Sequence, residues 1–408
     1  MTRRGLARFC SLAAAMAITS TARAGIWATQ PVIGVAADYS SNPGLLDVPD
    51  TAETRGAVLL DLPTSYNGDA FKLSVLPSFR FSNTAGYASL DSDYEHLTVS
   101  SEFDTPRDTF TVSGALARDS SLYHDYLLNG STGVRRDTAT ADVSWDSHVT
   151  ERFEIDTDLN TMNVKYGDSE SAGVATLVNY KYTSLTPSVV WLESVRTKLT
   201  LSAAGGRYDS LNGEAQSTNA NLQLGAVRQL SEIWALSATA GYSRANNQID
   251  GDEEVLELTP NGGLVIVLIP VSLKTSQNGS IYSLNLTRQT EELQLSASAS
   301  RQLLPTGFVF LSRQDSYKLA ATYNESDRLS MTGDLHRIDY KQPQANGALL
   351  DLNLTILEIS AAWQWTEHWT VSLTTSRVVE HYGSPSIPIS NTEVSVELSR
   401  RFDWKSLQ

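Results

Sequence analysis

Residues 231–244 read SEIWALSATAGYSR, and their alternation decides the fold. Trp234, Leu236, Ala238, Ala240 and Tyr242 interleave with Ala235, Ser237, Thr239, Gly241 and Ser243. This period of two gives one apolar face and one small, polar face, the pattern of a half-buried strand. The apolar face begins and ends on an aromatic ring. From Trp234 to Tyr242, a rise of ~3.4 Å per residue and a tilt of ~45° place the rings ~19 Å apart along a membrane normal. Aromatic side chains at both edges of an apolar band match the two interfaces of a bilayer. The stretch reads as one transmembrane β-strand.

The same alternation recurs along the chain. Upstream it runs through Ile33–Tyr39, Val58–Tyr66, Phe71–Phe81, Leu97–Phe103 and Phe110–Leu116. Ala139–Trp145, Phe153–Leu159, Leu185–Trp191, Leu199–Ala203 and Leu222–Ala226 continue it up to the opening stretch. Downstream follow Tyr282–Leu286, Leu293–Ala299, Tyr317–Tyr323, Leu329–Leu335, Ile359–Trp365, Trp369–Leu373 and Val394–Trp404. The expected fold is therefore all-β, a transmembrane antiparallel up-and-down barrel of about 18 strands, with 16–18 as the range. Pro77 removes one ladder donor from its strand.

Short turns alternate with long loops. The short ones share a signature: Thr150-Glu151-Arg152-Phe153, Ser231-Glu232-Ile233-Trp234, Thr290-Glu291-Glu292-Leu293, Ser326-Asp327-Arg328-Leu329 and Thr366-Glu367-His368-Trp369. In the second half this is an internal repeat of about 40 residues, a spacing that solenoids and propellers also use. Paired aromatic belts favour the barrel. Short turns then lie in the periplasm, and long loops face outward.

Arg3, Arg4 and Arg8, an apolar core at Leu12–Ile18 and Ala22-Arg23-Ala24 form a secretory signal expected to be cleaved after Ala24. Residues 25–408 form the barrel, and the cell outer membrane is its expected location. The single cysteine, Cys10, leaves with the signal, which excludes disulfides and thiol chemistry. Losing four arginines takes Lys+Arg from 31 to 27 against 46 acidic residues, a net charge of about −19. Such acidity argues against a nucleic-acid partner. The expected partners are outer-membrane lipid, the barrel-assembly machinery, and polysaccharide or other export components.

No enzyme constellation, cofactor site or metal-ligand spacing stands out among the six histidines, and the chain is not expected to be an enzyme. His124-Asp125 reads as a solvated loop pair rather than a catalytic one. Asn129-Gly130 and Asn278-Gly279 read as turn formers. Alternation places Glu154, Asp156 and Asp158 on the lumen side, with Lys72, Arg80, Lys198 and Lys318 pointing inward from other strands. Either these charges oppose one another across a wet lumen, or they pair and fill it; both arrangements stay open. The connection Asn246–Gly279 joins an acidic patch to an apolar segment, Gly262–Leu273. It extends a hairpin beyond the membrane, constricts the lumen, or meets a partner.

Arg118-Asp119-Ser120, Arg135-Arg136-Asp137, the short-turn signatures, Asn179-Tyr180-Lys181-Tyr182 and the end pattern Val394–Trp404 resemble a family of proteobacterial outer-membrane β-barrels. Its members are often found beside exopolysaccharide and exosortase (PEP-CTERM) loci. The resemblance implies an envelope role, either passage or secretion of saccharide, and brings no catalytic residues. The expected function is a pore for polar solutes or for exopolysaccharide export. The alternative is a non-conducting barrel that displays loops for structure or adhesion.

Overall fold

A computed structural model describes residues 25–43, 45, 52–84, 94–120, 135–167, 177–258, 264–305, 311–343, 349–382 and 387–402. The described residues contain strands and no helix. The strands are β1 (Ile26–Thr29), β2 (Val32–Ser40), β3 (Glu53–Asp61), β4 (Thr64–Asn67), β5 (Phe71–Thr84), β6 (Tyr94–Asp104) and β7 (Asp108–Ser120). Next come β8 (Arg135–His148), β9 (Phe153–Tyr166), β10 (Tyr180–Ser194), β11 (Thr197–Ser210), β12 (Ala215–Gln229) and β13 (Trp234–Leu258). The chain ends with β14 (Leu264–Gln289), β15 (Leu293–Pro305), β16 (Leu311–Ser326), β17 (Leu329–Pro343), β18 (Leu349–Gln364), β19 (Trp369–Tyr382) and β20 (Ile387–Arg401).

Twenty segments make eighteen staves. β1 and β2 are two halves of one stave, and β3 and β4 of the next. β2 pairs with β3 while β1 pairs with β4, and both β3 and β4 pair with β5. The interruptions are Gln30-Pro31 and Leu62-Pro63. Proline has no N–H to give the ladder, yet its carbonyl still accepts. Gln30 N donates to Pro63 O at 3.1 Å, Leu62 N to Pro77 O at 3.0 Å, and Phe402 N to Pro31 O at 2.8 Å. Three prolines on neighbouring staves thus form one seam of shared irregularity. Every consecutive stave pairs antiparallel, and β2 pairs with β20 from Val32↔Arg401 to Ser40↔Glu393, which closes the barrel. All eighteen strands expected from alternation are present in the expected order.

The strict alternation follows from two solvents. Val58, Leu224, Leu319 and Ile359 point outward, each about half exposed or more, as lipid-facing side chains do. On the periplasmic side, register sets Phe71 beside Phe103, Phe103 beside Phe110, and Phe110 beside Trp145, one aromatic girdle across four staves. Tyr242, Tyr282 and Tyr317 mark the opposite edge on β13, β14 and β16. Ala226 lies opposite Ala238, midway between Trp234 and Tyr242. Ala226→Arg should therefore cost about 2–4 kcal/mol, and Gln223→Arg on the lumen face far less. Equilibrium urea unfolding in lipid vesicles checks this; equal costs would mean that the faces are misassigned.

The repeated turn signature has a local cause. Thr150 Oγ1 accepts from Arg152 N at 3.2 Å and Phe153 N at 3.1 Å. Ser231, Thr290, Ser326 and Thr366 use their hydroxyls on the residue three positions on in the same way. A Ser or Thr at the first position caps backbone donors that the reversal leaves without ladder partners.

Asn246–Gly279 is not a loop. β13 and β14 stay paired from Trp234↔Arg288 to Leu258↔Leu264, so the segment is a long hairpin extension. Asn278-Gly279 lies inside that ladder, opposite Arg244 and Ser243, and makes no turn. The Asn-Gly pair is read correctly only when its cross-strand partner is known.

Candidate lumen and outer mouth

The seven residues expected in the lumen alternate with the exposed apolar row of their strands, and the cations among them are paired close by. Lys72 Nζ lies 2.5 Å from Glu102 Oε1 and 3.4 Å from Asp104 Oδ2. Arg80 pairs with Asp38, reaching over β3. Lys198 Nζ lies 3.5 Å from Glu154 Oε2, and Lys318 Nζ lies 2.6 Å from Asp334 Oδ2. Two further inward cations behave alike: Arg55 meets Glu393 at 2.9 Å, and Arg136 meets Asp119 at 2.9 Å. Of the two arrangements left open by the sequence, the local one holds for the cations. They do not form a positive wall facing a negative one.

This leaves acid in excess. Asp142 and Asp146 on β8 face inward beside Asp156 and Asp158 on β9, and register sets Asp146 directly opposite Asp156. None of these four carboxylates has a basic partner among the described residues. Asn160 donates to Asp142, and Ser188 Oγ donates to Asp156 Oδ2 at 3.5 Å. Glu154, next to them, is shared by Lys198 and His148, the latter at 3.0 Å. Like charges directly opposite across two strands destabilise a sheet. Asp142 and Asp146 were legible from the alternation of Thr140, Asp142, Ser144 and Asp146 against Ala139–Trp145. The pairing of the cations was not, because it depends on cross-strand register.

The inward face is accessible along this stretch. The side chains of Lys72, Lys198 and Lys318 stay about half exposed despite their partners, and eighteen staves enclose a bore wide enough for water. The outer mouth differs. Val164 on β9, Tyr180 on β10, Tyr208 on β11 and Ala245 on β13 face inward and are buried together with Leu311 of β16. Tyr180 stacks on Tyr208 with ring centroids 5.1 Å apart. Met162, Tyr166, Tyr182 and Leu303 pack around them.

Leu303 and Leu311 carry the parity of the lipid face, in line with Ala299 and Tyr317. They nevertheless pack on lumen-facing side chains of the opposite wall. The outer ends of β15 and β16 therefore bend into the mouth. β14 pairs with β15 only from Tyr282↔Arg301 to Gln289↔Gln294. Beyond Tyr282, β14 continues with β13, and β15 leaves it. Leu311, Ser312, Gln314 and Asp315 are buried on both faces of β16, as expected of a strand end that bends inward while staying paired with β17 as far as Arg313↔Lys341. The sequence carried one signal for this: the outward row changes from Ala297 and Ala299 to Arg301, where the lipid contact stops.

His148 closes β8, and His124-Asp125 lies outside the described residues, as does Asn129-Gly130. No group of three His, Cys, Asp or Glu among the described residues is arranged to hold a metal ion.

A closed antiparallel barrel with a lipid-facing apolar band, two aromatic edges and a charged interior defines the class: an outer-membrane β-barrel. No family model and no curated protein matches the chain. Among solved structures, the ferric citrate transporter FecA in its unliganded form is similar, with a TM-score of 0.50 at 10% identity, over 93% of this chain and 79% of that one. Copper transporter OprC gives 0.47 at 8% identity over 93% and 84%. OccK3 (OpdO) of Pseudomonas aeruginosa gives 0.44 at 13% identity over 92% and 95%. At these identities the FecA likeness bears on the fold alone.

Proposed function

We propose that the chain passes small polar solutes across the outer membrane, cations ahead of anions. Its lumen is narrowed at the outer mouth by the inward ends of β15 and β16. The observation that carries this is the carboxylate group Asp142, Asp146, Asp156 and Asp158, which has no basic partner among the described residues, beside inward cations each held by a carboxylate. A low-dielectric wall focuses the field of such a group and raises the local concentration of counter-ions. A barrel needing only stability has no use for Asp146 opposite Asp156, since that contact is repulsive.

Planar-bilayer recording in a salt gradient tests the reading. The expected reversal potential has the sign for cation permeation. A membrane that stays closed at every voltage, with folded barrel confirmed by heat-modifiable mobility, would sink it in favour of the non-conducting display barrel.

Saccharide passage is a second reading, as the resemblance implies. It is supported by Tyr182, part-buried on the lumen wall at the edge of the buried tyrosine cluster, since an aromatic face suits a sugar ring. Oligosaccharide added to one side should then interrupt the current in a concentration-dependent way.

A further inference from the structure

Where β15 leaves β14, a space of about 580 Å³ opens at the outer mouth, within the ~300–1,000 Å³ of small-molecule sites. One wall of it is the edge of β14. Residues 275–281 line the space without a gap, so both faces of the strand and the edge between them border it. That edge has lost its ladder, since β14 pairs with β15 only from Tyr282 onward. An unpaired edge presents a row of backbone N–H and C=O groups. Gln302 and Leu303 of β15 and Arg313 of β16 border the space from the other side.

Polar side chains around this space lack partners. Ser243 Oγ, Thr275 Oγ1 and Arg313 Nε belong to residues that line it, and each atom is buried with no hydrogen-bond partner among the described residues. Asn221 Oδ1 and Asn247 Nδ2 are in the same condition. Register sets Asn221 directly opposite Ser243, and Asn247 directly opposite Thr275. Four of the five residues therefore sit together on the inward face of β12, β13 and β14. Ser243 is 1% exposed and Asn247 2%. Native folds leave few such atoms, because the desolvation of each goes uncompensated.

The set is mixed and, apart from Arg313, uncharged. Two hydroxyls give and take hydrogen bonds, one carboxamide oxygen accepts, and one carboxamide nitrogen and one guanidinium N–H donate. Arg313 meets Asp315 at 3.5 Å, Arg301 meets the same carboxylate, and Lys341 at the border is engaged as well. Ile281 and Leu303 add an apolar side. A ligand that matches closely spaced donors and acceptors, needs no charge and has an apolar face is a sugar ring. Strand addition by a peptide would pair the backbone edge but would leave Ser243 and Asn247, on the strand behind, without partners.

We propose that this cleft binds a short neutral saccharide, its hydroxyls on Ser243, Thr275 and the free edge of β14 and its ring against Ile281 and Leu303. The proposal rests on the saccharide reading above and gives the sugar a seat in the wall of the mouth.

Saturation-transfer NMR on barrel purified in a phosphocholine detergent reads binding directly, with cellobiose and maltose as probes and tetraserine as the peptide comparison. At least one disaccharide should bind saturably, and the peptide should not. S243A/T275V should weaken that binding at least about tenfold and leave the melting temperature unchanged or higher, because it removes hydroxyls that no described protein group satisfies. G279L should weaken binding too, since a Cβ on Gly279 meets nothing within 4 Å and the longer side chain grows into the space. Heat-modifiable mobility confirms that each variant is folded. Binding of neither disaccharide by wild type, undiminished binding in either variant, or tetraserine binding as tightly as the sugars would overturn the proposal. Current recording scores passage separately. A sugar that binds here and leaves the current uninterrupted sinks passage and keeps the seat. One that interrupts wild type and G279L alike keeps passage and sinks the seat.

Discussion

Leu311→Asp should raise single-channel conductance several-fold while leaving the transmembrane barrel folded. Leu311 is fully buried against Val164, Tyr180, Tyr208 and Ala245, and it is the side chain through which the end of β16 is held in the mouth. Truncating a buried leucine costs about 2–5 kcal/mol, and burying a carboxylate among apolar groups costs more. That penalty falls on a strand end rather than on the barrel. The membrane register of β16, from Tyr317↔Ala299 to Tyr323↔Leu293, lies away from the substitution. The outer end is otherwise tied down by four ladder pairs to β15 between Gln302↔Gln314 and Pro305↔Leu311, by three to β17 from Asp315↔Asp339 to Arg313↔Lys341, and by the Arg301–Asp315 ion pair. Release of the end is therefore the cheaper response. Leu311→Met keeps the volume and polarity and should leave conductance near wild type. Unchanged conductance in the aspartate variant, with the barrel folded, would place the narrowest point elsewhere.

The staves were legible because lipid and water impose opposite demands on alternate residues, and the strands from β2 to β20 obey them; Trp404 lies outside the described residues. Three features were not, each for a physical reason. The splitting of the first two staves at Gln30-Pro31 and Leu62-Pro63 depends on carbonyls borrowed by neighbouring strands, which only pairing reveals. Asn246–Gly279 mixes acidic and apolar stretches because β13 and β14 there leave the bilayer together, so neither face is held to a lipid rule. The pairing in that extension includes side chains: Ser272 and Gln248 donate to Asp250 and hold its carboxyl below the usual range. Leu303 and Leu311 have the parity of lipid-facing residues, and parity is blind to a strand end that has turned inward. The ion pairs follow the same logic. Lys198 was placed in the lumen by alternation, but its attachment to Glu154, two staves away, belongs to register.

Neutralising the carboxylate wall should act in opposite directions on permeation and on stability. In D142N/D146N/D156N/D158N, the four inward groups lose their charge and keep nearly their size. The preference for cations should fall several-fold, read as a reversal potential moving toward zero in a salt gradient. Screening sets the conditions: the Debye length is about 10 Å at 0.1 M salt and about 3 Å at 1 M. The wild-type preference should therefore be large in dilute salt and fade in concentrated salt, whereas the variant should be insensitive to salt throughout. Stability should move the other way. Asp146 lies directly opposite Asp156, and relieving a like-charge cross-strand pair returns about 0.2–1 kcal/mol. Lys198→Gln is the complementary change. It removes a base from Glu154, leaves His148 as that carboxylate's remaining partner, and should strengthen cation preference. If the quadruple variant keeps wild-type selectivity, the acidic wall does not face the permeation path. If it loses selectivity and also unfolds more readily, the carboxylates are tied into the barrel by partners beyond Asn160 and Ser188. A gain in stability together with a loss of selectivity is the expected result, because a lumen shaped for passage keeps a repulsion that a merely structural barrel has no reason to retain.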